Sequence, residues 1–256
     1  IPVTAAYTYP FWAKPHMSPF CMFKDIQHHP DYAPVRYNTD KYPSFTAEMG
    51  VGIQMIYSRR PIVKAEAAEA LMVRSLGSGA NGIGYYMYHG GSTPKQNNGV
   101  GFLSDELMGV PKISYDFQAP IGEFGLVRDS YQNLRILHSF LEDFSSSLAP
   151  METVLPEGND RITPDNRETL RYAVRMKDDS GFIFMTNFQD HDTARVDQKD
   201  LQFKLNLRNE SFMIPAKGTF TLKKDVSAIL PFNLHMEDAV LKYATAQLLT
   251  KIEDNG

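Results

Sequence analysis

Glu48 stands at the end of a short strand-like segment, where a carboxylate could act as a nucleophile or as an acid–base group. The segment 42–50 is short, aromatic and bounded by Pro43 and Gly50, which favours a buried strand over a helix. Barrel enzymes of the (β/α)8 type carry their chemistry at the carboxyl ends of strands. A strand-end glutamate in a salt bridge is the alternative, and it would be favoured for a lone Glu. The segments that follow argue against a lone Glu.

A helix and a second strand are predicted directly after Glu48. The helix is expected from Ile62 to Leu76, because Pro61 suits the first helical position and glycines at 77 and 79 end the pattern. Its apolar stripe should be buried and its charged face solvated; that face comprises Lys64, Glu66, Glu69 and Arg74. Residues 82–88 predict a buried strand that ends at His89-Gly90-Gly91. The order strand, helix, strand predicts a βαβ unit.

The second half of the chain changes from helical to strand-like patterning. A long amphipathic helix is predicted over 129–148, with His138 in a structural role. After Ala149-Pro150 come short strand-like runs, which lie at 170–176, 181–188, 201–207, 219–222 and 241–249. The sequence therefore predicts a helix-containing part at 1–150 and a separate antiparallel β domain at 151–256.

Composition excludes several classes of protein. The 256 residues allow one large or two ordinary domains, and a net charge of -4 without a basic block argues against nucleic acid as the main partner. The longest apolar run is too short to span a bilayer. Cys21 is the only cysteine, so no intrachain disulfide can form. His28 and His29 lack a suitably spaced third ligand, so no metal and no cofactor are expected.

Three ordered motifs resemble glycoside hydrolase family 35, the β-galactosidases. They are Glu48, the Tyr-Met-Tyr-His-Gly-Gly at 86–91 and the Ser-Tyr-Asp-Phe-Gln-Ala-Pro at 114–120. The corresponding family motifs are Tyr-Met-x-x-Gly-Gly and Ser-Tyr-Asp-Tyr-x-Ala/Ser-Pro. The resemblance is strongest over 42–150 and extends more weakly into the β domain. It implies an α/β fold: the C-terminal part of a (β/α)8 TIM barrel, followed by an antiparallel β domain.

The resemblance implies a retaining glycoside hydrolase that removes terminal β-galactosyl residues, with Glu48 as the nucleophile. Tyr86 and Tyr115 match tyrosines of the galactose pocket, and Tyr9, in a Thr-Tyr-Pro tripeptide, resembles a further sugar-binding tyrosine. His89 lies where it could reach the same pocket. These residue types suit the chemistry, since retaining enzymes pair two carboxyl groups about 5 Å apart and tyrosines bind sugars through ring and hydroxyl.

The expected general acid departs from the family pattern. The family carries it in an Asn-Glu pair on an earlier strand, and the only such pair here, Asn209-Glu210, falls in the β domain. Glu106 and Glu123 lie in loops, and Glu123 is expected to be structural. We therefore expect the acid in missing N-terminal sequence and little hydrolysis by the chain alone. A β-galactoside or oligosaccharide and a further polypeptide completing the barrel are the expected partners, without a membrane; the resemblance implies a secreted or periplasmic location.

Two other functions compete with hydrolysis of galactosides. A carbohydrate-binding or structural module without turnover is the alternative, motivated by the absent acid and by the β domain. An ester or acyl hydrolase is disfavoured because the chain has no Gly-x-Ser-x-Gly motif. Catalysis by Cys21 also lacks a supporting motif.

Overall fold

The computed structural model describes residues 38, 41–56, 62–95, 97–98, 109–110, 113–162, 166–189 and 192–252. Tyr9 and Glu106 lie outside these residues. The first part of the described chain contains β1 Phe45–Gly50, β2 Met55–Ile56, α1 Ala65–Gly77, β3 Gly82–Tyr86, β4 Gly91–Ser92, β5 Gly109–Val110, β6 Ser114–Tyr115 and α2 Asp129–Leu148. The second part contains β7 Glu152–Val154, β8 Arg171–Lys177, β9 Ser180–Thr186, β10 Gln198–Leu201, β11 Phe203–Asn206, β12 Ser211–Ile214, β13 Phe220–Leu222, β14 Ser227–Met236 and β15 Ala239–Tyr243.

The predicted βαβ unit is confirmed by the pairing of β1 with β3. These two strands are parallel neighbours, and α1 lies between them in sequence. The helix begins at Ala65 rather than at Ile62. The reason is a tertiary contact: the Val63 amide donates to the side-chain oxygen of Gln118 at 3.1 Å, and Lys64 keeps an extended backbone.

Helix α1 is buried on nearly all sides. It packs against α2 and also against the strands β8, β9 and β14 of a five-stranded sheet. The expected solvated face is therefore wrong at three of its four positions. Arg74 is only 3% exposed, and Glu66 and Glu69 are both partly buried. The amphipathic pattern predicts one buried face, whereas α1 is covered by another helix and by a sheet.

An antiparallel sheet of order β15-β14-β9-β8-β7 forms the centre of the second part. Alternate residues of β9 supply two hydrophobic cores. Phe182 and Phe184 join the core shared with α1 and α2, where the ring of Phe182 meets that of Phe140 edge-on at 5.4 Å. Ile183 and Met185 join the other core, which strands β11, β12 and β13 help to cover. The first core is continuous across residue 150, and the domain boundary at that position stays a prediction.

Strand β14 was not predicted, although it is the central partner of β9 and β15. Pro231 lies in its middle, and a proline argues against a central strand because it cannot donate to the ladder. Pro231 is tolerated where the two ladders meet. Pairing with β9 runs from Ser227 to Phe232, and pairing with β15 begins only at Phe232.

The strand expected at 241–249 is wrong beyond Tyr243, where β15 ends. The following tail is fixed by side-chain contacts instead of a ladder. The Gln247 side-chain oxygen accepts the Ile229 amide at 3.2 Å. The carboxylate of Asp143 on α2 accepts the Lys251 amide at 2.9 Å and the Thr250 hydroxyl. No helix in the described part of the chain has the length and apolar character needed to cross a membrane.

Arg175 on β8 connects the sheet to the ends of both helices. Its side chain is 1% exposed. The guanidinium donates to the carbonyls of Leu76 at 2.7 Å, Leu148 at 3.1 Å and Met151 at 3.0 Å. Leu76 and Leu148 lie in the last turns of α1 and α2, where their carbonyls also accept the amides of Gly79 and Met151 and where the helix dipole favours a cation. Burial lowers the pKa of Arg175 to about 10, which still leaves the group charged at neutral pH.

We expect Arg175→Met to lower the free energy of unfolding by about 3 kcal/mol or more, because three buried carbonyls lose a charged donor. Arg175→Lys should also destabilise, since an ammonium cannot reproduce the planar fork. Urea unfolding measures both. Arg135→Met, at an exposed position of α2, is the matched control and should change stability by less than about 0.5 kcal/mol. Equal stabilities of Arg175→Met and the control would contradict the role assigned to the fork.

Glu69 makes stability depend on pH. Burial, and to a smaller extent the negative charge of the neighbouring Glu66, raise the pKa of Glu69 to about 7. The folded protein then retains this proton where the unfolded chain releases it, so the free energy of unfolding falls as pH rises from the unfolded value of 4.5 to about 7.

Glu69→Gln should therefore raise the Tm at pH 8 but not at pH 4, by about 2–4 °C for each kcal/mol recovered. Thermal melts at the two pH values measure this, with the exposed Glu142→Gln on α2 as the control. A gain of the same size at both pH values would contradict burial of an ionisable Glu69.

Candidate active site

Glu48 and Tyr86 lie at the same edge of the parallel pair β1 and β3. The register pairs Met49 with Tyr85 and Gly50 with Tyr86, so Glu48 lies two residues before the partner of Tyr86. Met49 is buried in the core, whereas the Glu48 side chain is exposed. Carboxyl ends of neighbouring parallel strands are where α/β proteins place ligand-binding groups. The pairing thus brings these two predicted site residues to one edge.

The register of β1 against β3 shifts between Thr46 and Met49, as it does at a β-bulge. Between the pairs Thr46 with Ile83 and Met49 with Tyr85, β1 advances three residues and β3 only two. The extra residue falls in the Ala47-Glu48 dipeptide. Bulges bend a strand and redirect side chains, and they are frequent next to active sites. The alternation pattern of the sequence carried no signal for this irregularity.

Tyr86, Tyr115 and Phe117 form a contiguous group of rings, called here the aromatic wall. The Tyr86 and Tyr115 hydroxyls are 3.3 Å apart, within hydrogen-bond distance. The rings of Tyr115 and Phe117 stack with centroids 4.0 Å apart and planes 19° apart. The centroid of the Phe117 ring also lies 6.5 Å from that of Tyr86. The structure thus brings together two predicted tyrosines and adds Phe117, which the sequence analysis did not single out.

The backbone at the wall has three residues in the left-handed region. Met87 follows Tyr86 with φ 63°, and Phe117 and Gln118 have φ 49° and 58°. Non-glycine residues adopt this region rarely, and such positions are frequent at functional sites. The Phe117 carbonyl accepts the Ile53 amide at 2.7 Å, which connects the wall to the segment after β1. The tight turn is therefore hydrogen-bonded to the segment that follows β1, the strand that carries Glu48.

His89 is turned toward its own chain. Its Nδ1 bonds to the carbonyl of Gly90, and the side chain is exposed. The described contacts do not bring His89 to the aromatic wall, and its assignment to the pocket stays a prediction. Within the described ranges, no group of three or more His, Cys, Asp or Glu side chains is placed to hold a metal ion.

Glu123 is fully engaged by two serines. One carboxylate oxygen accepts the Ser114 hydroxyl at 2.5 Å, and the other accepts the Ser92 hydroxyl. Ser92 and Ser114 are directly paired residues of β4 and β6. Glu123 thus ties a loop to this small sheet, as expected for a structural carboxylate.

A second tyrosine cluster lies on the core side of β3. The Tyr85 hydroxyl and His138 Nε2 are 2.7 Å apart, and Tyr85 stacks on Tyr88 at 5.2 Å. Burial lowers the pKa of His138, while burial and then the neighbouring Tyr88 raise the pKa of Tyr85. These shifts keep both groups uncharged near neutral pH, which suits a packing contact between β3 and α2. His138 therefore has the structural role expected of it.

The candidate site thus consists of Glu48 near the end of β1 and of the aromatic wall, with Tyr86 at the end of β3, Tyr115 on β6 and Phe117 in the turn after β6. The model of "Glycosyl hydrolases family 35" matches residues 14–141, half of the 256 residues. The chain therefore belongs to glycosyl hydrolases family 35.

A curated protein with a similar sequence agrees with this family assignment. Beta-galactosidase 10 of Arabidopsis thaliana is 33% identical over 103 residues, which is 40% of this chain. The match spans only 13% of the length of that relative. Strands β7 to β15 follow the region matched by the family model.

Substitution of Gly52 tests the close approach of the segment after β1 to Phe117 and Met87. A Cβ at this position would lie 2.8 Å from the Phe117 carbonyl oxygen and 3.0 Å from the Met87 side chain. Gly52→Ala should therefore displace the turn and cost about 1–3 kcal/mol of stability, measured by urea unfolding. Gly91→Ala is the matched control, because a Cβ there meets nothing within 4 Å. Equal stabilities of the two variants would contradict the described approach of the turn to β1.

Proposed function

We propose that this chain acts in the hydrolysis of terminal β-galactosides with retention of configuration, and that Glu48 is the nucleophile. The observation that carries the proposal is the position of Glu48 beside Tyr86 at the carboxyl edge of parallel strands, within a chain of family 35. The relative named a beta-galactosidase supports galactose as the sugar.

In this mechanism the ionised Glu48 attacks the anomeric carbon of the sugar. The glycosidic bond breaks as the new bond to a carboxylate oxygen forms, and a second carboxylic acid protonates the departing oxygen. Water then attacks the glycosyl ester and restores the original configuration. The attacking carboxylate must be ionised and open to the sugar, and the exposed side chain of Glu48 suits this requirement.

Sugar binding is assigned to the aromatic wall. Tyrosine hydroxyls donate to and accept from sugar hydroxyls, and ring faces cover the apolar face of a pyranose. Tyr86 and Tyr115 supply the hydroxyls, and the ring of Phe117 supports that of Tyr115. Tyr9 and His89 remain proposed contributors.

Two finer parts of the proposal concern the fold and the proton donor. Residues 1–150 are proposed as the C-terminal part of a (β/α)8 barrel, supported by the βαβ unit and by family membership. The proton donor is proposed to be a carboxylic acid outside the described residues. Glu123 suits that role poorly, because both of its oxygens accept serine hydroxyls.

Glu48→Gln should reduce hydrolysis of an aryl β-galactoside to below about one-thousandth, because an amide cannot form the glycosyl ester. The assay uses the protein with whatever further chain it carries, and thermal melts verify folding. Glu157→Gln, at an exposed position after β7, is the control and should keep the full rate.

Rescue chemistry sharpens this assignment. In Glu48→Ala, added azide should attack the anomeric carbon in place of the carboxylate and give an α-galactosyl azide. Full activity of Glu48→Gln would contradict the nucleophile assignment. Binding of galactose without turnover by the unaltered protein would instead favour the carbohydrate-binding module.

A further inference from the structure

The carboxylate of Asp116 gathers one turn around itself. It accepts the Glu123 amide at 2.8 Å, the Gln118 amide at 3.2 Å and the Arg128 guanidinium at 2.7 Å. Arg128 also donates to the Ala119 carbonyl at 2.6 Å. Partial burial raises the pKa of Asp116, but the two amides and Arg128 outweigh it, and the net effect lowers that pKa. Asp116 is therefore an ionised carboxylate at the centre of residues 116–128.

These contacts stabilise an unfavourable backbone. Phe117 and Gln118 are consecutive left-handed residues, each of which costs free energy in isolation. The side chain of Asp116 bonds to the amide two residues on, and its carbonyl accepts the Ala119 amide at 2.9 Å. Aspartate is suited to this local turn because its short carboxylate reaches the i+2 amide. The sequence position directly before the left-handed pair is thus matched to its residue type.

The same turn sets the position of the aromatic wall. Tyr115 precedes Asp116 and Phe117 follows it, and their rings stack across the turn. The Phe117 carbonyl accepts the Ile53 amide, and the Gln118 side chain accepts the Val63 amide. The turn is therefore tied to the segment after β1 as well as to the start of α1.

Gly122 and Gly90 lie so close to the turn that neither position has room for a side chain. A Cβ at Gly122 would lie 2.8 Å from an Asp116 carboxylate oxygen and 2.9 Å from Arg128. A Cβ at Gly90 would lie 2.8 Å from the Glu123 amide and 3.1 Å from the Asp116 Cα. The residue before β4 and the loop that leads to α2 therefore both lie close to Asp116.

We propose that Asp116, through its ion pair with Arg128, is a positioning residue that holds the aromatic wall in its sugar-binding arrangement. Asp116 acts through Tyr115 and Phe117 and does not touch the reacting atoms. This inference rests on the proposed function, because it concerns the placement of the wall against a bound galactoside.

Asp116→Asn should lower kcat/KM for an aryl β-galactoside by about 10- to 100-fold, in the range expected for small misplacements of binding groups. The assay is run where melts show the variant folded. In a Tyr115→Ala background the same change should cost less than about threefold, because the group it positions is already gone. Asp129→Asn, an exposed carboxylate in the first turn of α2, is the control and should stay within about twofold of the parent.

Amide hydrogen exchange tests, without a catalytic assay, the clamp that the Asp116 contacts form on residues 116–128. Asp116→Asn should speed exchange at Ile53 and Val63, whose amides bond to Phe117 and Gln118, while Asp129→Asn should not. Unchanged exchange at both amides would overturn the clamp, and an equal kinetic loss in both backgrounds would overturn the positioning role. A parent inactive on galactosides would overturn the proposed function and the positioning role with it, while the exchange rates would still decide whether the clamp exists.

Discussion

A single buried guanidinium, that of Arg175, determines how the helices and the sheet fit together. Helix C-termini present carbonyls that must find donors, and burial makes an unmet carbonyl costly. Two such ends converge on one side chain that has five N–H groups in a fixed plane. The three bonds from Arg175 fix where α1 and α2 stop relative to β8. Since α1 leads into β3, this placement also constrains the strand that carries Tyr86.

The candidate site is held by a second polar centre of a different kind. Arg175 serves carbonyls inside a core, whereas Asp116 serves amides of a partly exposed turn. Each satisfies backbone groups that regular secondary structure leaves unpaired. Between them lie β1 and β3, a two-stranded pair in the described part of the chain. Such a small pair is marginal alone, so the contacts of its flanking loops are needed for the geometry of Glu48 and Tyr86.

The sequence predicted the elements with strong periodicity and failed where tertiary contacts decide. Helix α2 matches its expected span because its apolar spacing is regular. Arg74 and Glu69 were misjudged, since polarity alone cannot show that a helix is covered on two sides. Strand β14 was hidden by Pro231, whose missing amide proton is harmless only where the two ladders meet.

The candidate site followed the same division. Motif resemblance selected Glu48, Tyr86 and Tyr115, which are individual residue types at fixed spacing. It did not select Phe117, whose contribution depends on a left-handed backbone that places its ring on Tyr115. The register shift between Thr46 and Met49 is likewise a property of pairing with β3 and leaves no mark in local composition. For the left-handed residues Phe117 and Gln118, the available signal in the sequence was the preceding Asp116, because Asx turns favour aspartate.

The contacts of Arg175 have a consequence for how this protein can be divided and recombined. A cut at residue 150 would separate the Arg175 guanidinium from Leu76 and Leu148 and would leave Phe140 and Phe144 without the Phe182 ring of β9. Gene truncation or domain shuffling that keeps α1 and α2 must therefore also keep β8 and β9. The segment that has to be kept together therefore extends past residue 150, where the sequence pattern changes, and includes β8 and β9.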